Sequence, residues 1–277
     1  MLRLENLDPA RSKPAYRRAM VDDLAWLGLD WDAEYAQSER LDHYHAALDQ
    51  LAQDQLLYPC SCSRAEIRAA GTPTPDGGFR YDNRCRERKL PNPAEGGWRA
   101  SPDPLRARLP EGVVSPVDLG GLDLTQDPVA AFGDPIVLRR DGAVAYQLAS
   151  VVDDGISGVT RIVRGRDLMS NTATQLALGR HLGLPVPSYR HHLLLLERQG
   201  EKLAKLHGSV SLRALRKVYS SSELCGVLAF AAGLIPSPDP TTPAELVSDF
   251  SWDRVRGADQ IAHWTGERLE ISALRFS

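Results

Sequence analysis

Apolar and polar residues alternate at the start of the chain. Leu2 and Leu4 are interleaved with Arg3 and Glu5, the period-two pattern of a short half-buried strand, and Asp8-Pro9 closes it with a turn. A strand that ends in a carboxylate and a turn is a common start of a ligand site in an α/β protein. The period then lengthens. In KPAYRRAMVDDLAWLGLDWD, Tyr16, Met20, Leu24 and Leu27 share one helical face, and Gly28 supplies a stop. SERLDHYHAALDQLAQDQLLY predicts a second helix, with Leu41, Tyr44, Leu48 and Leu51 as its stripe and Ser38 as N-cap. Both stripes are expected to pack in a core.

At Pro59 the pattern breaks. Prolines, glycines and arginines crowd the stretch to Pro116 and long apolar runs vanish, which predicts a module held by something other than a large hydrophobic core. DPIVLRRDGAVAY predicts two strands joined at Asp141-Gly142. Regular texture then returns: GVTRIVRG as a strand, NTATQLALGRHLG as a helix capped by Ser170 or Asn171, and RHHLLLL as a strand. That order suits a parallel βαβ crossover. GEKLAKLHGS is a glycine-bounded basic loop. The tail reads as helical, in SSSELCGVLAFAAGLI and then TTPAELVSDF, where Thr242, Pro243 and Glu245 match an N-cap, an N1 proline and a capping-box acid.

Composition narrows the class. With 277 residues, 43% hydrophobic and 25% charged, the chain suffices for one large globular domain or two modest ones. A formal net charge of −3 provides no overall basic field for nucleic acid, so any such partner depends on local patches. Runs such as CGVLAFAAGLI are too short to span a bilayer, and the N-terminus carries no apolar signal core, so no membrane partner and a cytoplasmic location are expected. Three of the four cysteines, Cys60, Cys62 and Cys85, lie in one stretch, which points to metal before disulfide. Cys225, inside an apolar helix, is expected in the core.

Thiolates two positions apart at a turn can both face one tetrahedral ion, and a third from a later turn closes most of the shell. The fourth ligand is left open by spacing: Tyr81 and water are both available, while unligated thiols or a Cys60–Cys85 disulfide are the alternatives to zinc. In the basic loop, Lys202 and Lys205 can follow charge developing on a phosphate. Arg164, ending a strand, can grip a carboxylate with two parallel bonds, and Glu5, ending another, can take an ammonium. Together these form an amino-acid clamp, although each residue alone is equally a surface ion pair.

In this order the stretches resemble the glutamyl-tRNA synthetase type of class I aminoacyl-tRNA synthetase. LRLENLD is similar to that family's LRIEDTD. AYQLASVVDDGISGVTRIVRGRDLMSNTATQLALGRHLG is similar to its YNFAVVVDD…ITHVIRGED…NTPRQ…ALG block, and GEKLAKLHG to its KLSKRHG loop. Within the family the chain resembles the short glutamyl-queuosine tRNA(Asp) synthetase branch. Residues 210–277 are too few for an anticodon-binding domain, and Cys60, Cys62, Tyr81 and Cys85 match the branch's Cys-x-Cys, then Tyr-x-x-x-Cys pattern.

The resemblance implies an α/β class I fold with a Rossmann-type parallel sheet, a zinc-bearing insert and a C-terminal helical region. The expected boundaries are 1–57 and 143–209 for the two catalytic halves, 58–142 for the insert and 210–277 for the helical region. It implies one Zn2+ on Cys60, Cys62, Tyr81 and Cys85, ATP as substrate with Mg2+, and a monomer. Glutamate and ATP would give glutamyl-adenylate, and the glutamyl group would pass to queuosine in the anticodon of tRNA(Asp). Glu5 would take the substrate amine, Tyr146 and Arg164 would line the glutamate pocket, and Lys202 and Lys205 would serve catalysis, Lys205 contacting the ATP phosphates.

Three departures accompany the resemblance. Asn6 stands where the family has an acid, and Ala204 where it has a serine. The family's FAPSPTG loop and HxGS/HxGN helix start, which precede the LRIEDTD stretch, have no counterpart in residues 1–277, so a start upstream of Met1 is expected. The alternatives are a non-catalytic tRNA-binding remnant and a truncated glutamyl-tRNA synthetase charging tRNA(Glu). Arginines in FRYDNRCRERK and RVRGADQ are candidate phosphate contacts.

Overall fold

The computed structural model describes residues 1–197 and 210–273. Its first half forms β1 (Leu2–Leu4), α1 (Pro14–Trp26), β2 (Glu34–Ala36), α2 (Leu41–Gln53), β3 (Leu57–Pro59), α3 (Arg64–Ala69), β4 (Leu105–Ala107), α4 (Pro128–Phe132) and β5 (Ile136–Leu138). There follow α5 (Tyr146–Ile156), β6 (Arg161–Gly165), α6 (Thr172–His181), β7 (Ser188–His192), β8 (Leu195–Leu196), α7 (Leu212–Leu215), α8 (Ser221–Ala232), α9 (Pro243–Ser248), β9 (Gln260–Trp264) and β10 (Leu269–Ala273). The chain divides into two units, one of Arg3–Arg11 with Tyr35–His191, the other of Met1–Leu2, Ser12–Glu34 and His192–Ser277.

The first of these units is organised by α2, α5 and α6. Tyr44, Leu48 and Leu51 of α2 are buried as their spacing predicts, against Leu148 and Val152 of α5 and Ala177 and Leu178 of α6. Strands β3, β4 and β5 pair antiparallel, with Leu57 opposite Ala107 and Leu105 opposite Leu138. Their side chains Leu57, Leu105 and Val137, with Trp98 and Leu109, join the same core. The expectation that the stretch from Pro59 to Pro116 is held by something other than a large hydrophobic core is thereby corrected, since Trp98, Leu105, Ala107 and Leu109 belong to this core. Each strand is three residues long, too short to register as a period in the sequence. β6 and β7 pair through the α6 crossover.

Ser38 is not the cap of α2. Arg40 occupies that position, and Ser38 exchanges hydrogen bonds with Asn6, its N–H donating to Asn6 Oδ1 (2.9 Å) and its Oγ accepting from Asn6 Nδ2 (2.8 Å). The turn at Asp141-Gly142 forms with Gly142 at φ 80°, but its second arm contributes a single bridge, Leu138 to Val144, before α5 begins. Helix propagation from Tyr146 outcompetes the second strand.

In the other unit, α1 forms where its stripe places it but buries none of its residues; Tyr16 is 60% exposed. The core role given to that stripe is not met among the described residues. Near its end, Arg216 of the segment after α7 bonds Asp23 (2.8 Å) and lies over Trp26. Helices α8 and α9 carry the capping boxes Ser220–Glu223 and Thr242–Glu245, the latter with Pro243 at N1. The all-helical tail is corrected by β9 and β10, an antiparallel pair that β8 joins in parallel. Val227 of α8 packs on Ala262 and Leu269 of that sheet. The RHHLLLL run accordingly serves two strands, β7 and β8.

Candidate active site and metal centre

Cys60 and Cys62 flank the turn between β3 and α3. The turn is fixed from both sides: Cys60 N–H donates to Pro104 O (2.9 Å), and Ser63 caps α3 in a reciprocal box with Glu66. Across from them, Tyr81 N–H donates to Phe132 O (2.9 Å), and Tyr81 Oη accepts the N–H of Cys85 (3.0 Å). The three thiol sulfurs lie within 4.8 Å of one another, Cys62 Sγ being 3.6 Å from Cys85 Sγ. Cys60 Sγ is 3.4 Å from Tyr81 Oη. Thiolates bound to one tetrahedral zinc sit about 3.8 Å apart, and a thiolate and a bound phenolate oxygen about 3.5 Å. The donor set therefore fits such an ion, and all four cysteines of the chain are unpaired by disulfide.

A polar layer lies behind these ligands. Arg106, only 6% exposed, stacks its guanidinium over the Tyr81 ring at 3.6 Å and bonds the Asp134 carbonyl. The buried Asp134 carboxylate accepts Tyr58 Oη–H (2.9 Å) and Leu109 N–H (2.9 Å), with Arg86 Nε at 3.5 Å. Burial pushes the Asp134 carboxyl above its ordinary range despite these donors. Burial also opposes ionisation of Cys60, but hydrogen bonding to Tyr81 and Arg106 prevails and holds its thiol below the usual value. Cys62, buried beside the other two sulfurs, is pushed up to about 12.

A cleft of about 850 Å³ opens beside this centre. Cys62, Tyr81, Arg139, Arg140, Tyr146 and Asn171 are among its lining residues.

Helix α5 supplies Tyr146 to this lining. Tyr146 is its first residue and is 40% exposed. The Tyr146 carbonyl accepts Ser150 Oγ–H (2.8 Å), Ser150 Oγ accepts Gln175 Nε2–H (3.1 Å), and Gln175 Oε1 accepts Arg164 Nη1–H (2.7 Å). Arg164 is therefore tied to the turn that carries Tyr146. Further along α5, Asp154 holds Arg3 at 2.5 Å, and Arg3 in turn bonds Glu5 at 3.3 Å. Burial pushes the Tyr189 phenol up to about 12, and Arg164, Asp154 and Tyr146 all act on it electrostatically.

The structure brings Cys60, Cys62, Tyr81 and Cys85 together, and it ties Tyr146, Arg164 and Glu5 to α5. Glu5 is exposed and already paired with Arg3, and neither Glu5 nor Arg164 lines the cleft. Lys202 and Lys205 lie outside the described residues. Sequence reasoning missed Arg106 and Asp134 behind the thiols, and the Asp118–His191 pair behind Arg164. Arginine and aspartate at buried strand ends carry no periodic signal; a histidine inside RHHLLLL was the one visible hint.

Comparison with known proteins gives this arrangement a context. The family model described as tRNA synthetases class I (E and Q), catalytic domain, matches residues 1–223. A protein named Glutamyl-Q tRNA(Asp) synthetase from Symbiobacterium thermophilum is 40% identical over 273 residues, spanning 92% of this chain and 83% of that one. Another of that name from Nitratidesulfovibrio vulgaris is 42% identical over 260 residues, spanning 89% and 80%. The crystal structure of a glutamate tRNA ligase from Elizabethkingia meningosepticum superposes with a TM-score of 0.72 at 20% identity, over 93% of this chain and 59% of that one. The fold is thus the mixed α/β class I synthetase fold that the LRLENLD, VVDD and RGRD stretches anticipated, and the chain belongs to the class I tRNA synthetase family for glutamate and glutamine.

Proposed function

We propose that this chain activates glutamate with ATP and transfers the glutamyl group to queuosine in the anticodon of tRNA(Asp). The observation that carries the reading is the 40% identity over 273 residues to a relative named for that reaction. The thiol–phenol centre supports it, because Cys60, Cys62, Tyr81 and Cys85 form a donor set of tetrahedral size. Zn2+ on these four residues would supply a cross-link between the β3–α3 turn and the Tyr81–Cys85 loop.

In this reading Arg164 holds a substrate carboxylate, Glu5 takes the amine on leaving Arg3, and Tyr146 walls the pocket. A glutamate carboxylate oxygen attacks the α-phosphorus of ATP and pyrophosphate departs. A hydroxyl of queuosine then attacks the acyl carbon, AMP departs with the bonding pair, the hydroxyl proton passes to the departing phosphate, and an ester forms. Neither step needs a protein nucleophile; both need orientation and charge stabilisation, which Arg164 and, at the phosphates, Lys202 and Lys205 supply. Mg2+ would neutralise the departing pyrophosphate. The protein acts as a monomer in the cytoplasm.

The test incubates the protein with labelled glutamate, ATP and tRNA(Asp) with or without queuosine. Alkali-labile label on the queuosine-bearing tRNA alone is expected. Label on the acceptor end of tRNA(Glu) would instead identify a glutamyl-tRNA synthetase, and tRNA binding without glutamate-dependent ATP–pyrophosphate exchange a non-catalytic module.

A further inference from the structure

Arg164, half-buried on β6, is held by three side chains. Its hydrogen bonds among the described residues go to side chains other than carboxylates: Nη1–H to Gln175 Oε1 (2.7 Å), Nη2–H to Thr172 Oγ1 (2.7 Å), and Nε–H to His191 Nε2 (3.1 Å). Among the described residues it forms no ion pair with a carboxylate. A guanidinium has five N–H groups, and the two left over sit one on each terminal nitrogen. Both remain available to a further acceptor such as a substrate carboxylate.

The third bond depends on which nitrogen of His191 carries the proton. A guanidinium can only donate, so Nε2 must present its lone pair. Asp118 provides the reason it does. Asp118 Oδ2 lies 2.8 Å from His191 Nδ1 and accepts the backbone N–H of the same residue (3.2 Å). Its Oδ1 accepts Gly120 N–H (2.7 Å) and Leu122 N–H (3.4 Å). Both side chains are fully buried, and the three backbone N–H donors of His191, Gly120 and Leu122 around one carboxylate favour its ionised form. An ionised carboxylate only accepts, which places the imidazole proton on Nδ1 and bares Nε2 toward Arg164. The Thr172 hydroxyl, 3.4 Å from Nε2, is consistent with the same tautomer.

We infer that Asp118 and His191 are positioning residues that lock the Arg164 fork in the orientation needed to receive a substrate carboxylate. The inference rests on the proposed assignment of glutamate to Arg164 and adds what directs that arginine. It also gives the loop around Asp118 a part in the site, through the parallel bridge to Tyr189.

Two measurements on the full chain test it. Nitrogen NMR of the imidazoles reads the tautomer without any ligand: His191 is expected neutral with its proton on Nδ1 at pH 7.5. A proton on Nε2, or a doubly protonated ring, overturns the inference. Calorimetry with glutamate then compares Asp118→Asn, His191→Phe and His191→Gln. The asparagine presents an N–H where an acceptor is required, and it is expected to weaken glutamate binding about tenfold or more while ATP binding holds. His191→Phe should do the same, whereas His191→Gln keeps an acceptor for Arg164 and should recover most of the affinity. Unchanged glutamate affinity in Asp118→Asn and His191→Phe overturns the inference, as does equal weakening of glutamate and ATP in all three variants. If the unmodified chain binds no glutamate while the Nδ1–H tautomer is found, the assignment of glutamate to Arg164 fails and the buried relay stands without that ligand.

Discussion

Asp49 shows how much one exposed-looking residue can be shifted by its neighbours. Its carboxylate accepts two bonds from Arg99 and one from Trp98 Nε1 (2.7 Å). The Arg99 bonds, with Trp98, hold its pKa near 2 against a modest opposing effect of burial. A carboxyl depressed in the folded state adds stability above its unfolded value, about 3.9, and that gain is lost as pH falls through about 2. Because the Asp49 side chain is 39% exposed, solvent screening keeps the gain to about 1 kcal/mol or less. The melting-temperature gap between the parent and Asp49→Asn is therefore expected to be constant above about pH 5 and to close toward about pH 2. A gap unchanged over that range would remove the ion pair as its cause.

At the scale of elements, α4 matters for the glycine that ends it. Gly133 has φ 76°, and a Cβ there would lie 2.0 Å from the Tyr81 carbonyl oxygen. The backbone of Tyr81 is also bonded to Phe132, so the end of α4 sets where the phenol stands relative to Cys60. Gly133→Ala cannot be relieved by a rotamer change, since both clashing partners are backbone. It is expected to destabilise the chain by roughly 2 kcal/mol or more and, with Zn2+ on Cys60, Cys62, Tyr81 and Cys85 as proposed, to lower the metal content of the purified protein well below one ion per chain. Metal analysis beside a denaturant titration checks both; full zinc loading in the variant would separate α4 from the metal centre.

At the scale of the whole molecule, the net charge of −3 makes the placement of arginines decisive for an RNA partner. The arginines of FRYDNRCRERK, first candidates from the sequence, are mostly committed within the protein. Arg84 pairs with Asp82, Arg86 with Asp134, and Arg88 with Asp103. Arg64 and Arg140 line the cleft and form no ion pair among the described residues. Phosphate contacts are therefore expected from these two. Arg140→Gln should weaken tRNA binding and reduce the slope of log K against log salt by about 1, whereas Arg88→Gln should leave the slope near the parent value. An unchanged slope in Arg140→Gln would take Arg140 out of the interface.

Local sequence determined what depends on local forces. The capping boxes at Ser220 and Thr242, the α2 stripe and the strand at Leu2–Leu4 were legible because each is written in residues within one or two turns of one another. The Cys60, Cys62 and Cys85 spacing was legible for the same reason, since donor chemistry survives even where the fold is unknown. The sequence did not show that α1 leaves its stripe without a buried residue among the described residues, that three-residue strands carry the core past Pro59, or that β9 and β10 follow α9 in the tail. Those outcomes depend on which distant segment covers a face, and burial is set by that partner rather than by the pattern that invites it. The same reason hid Asp118 behind His191, and His191 behind Arg164. A hydrogen bond between residues 73 positions apart has no trace in either neighbourhood, so only the tertiary structure could decide which way the arginine faces.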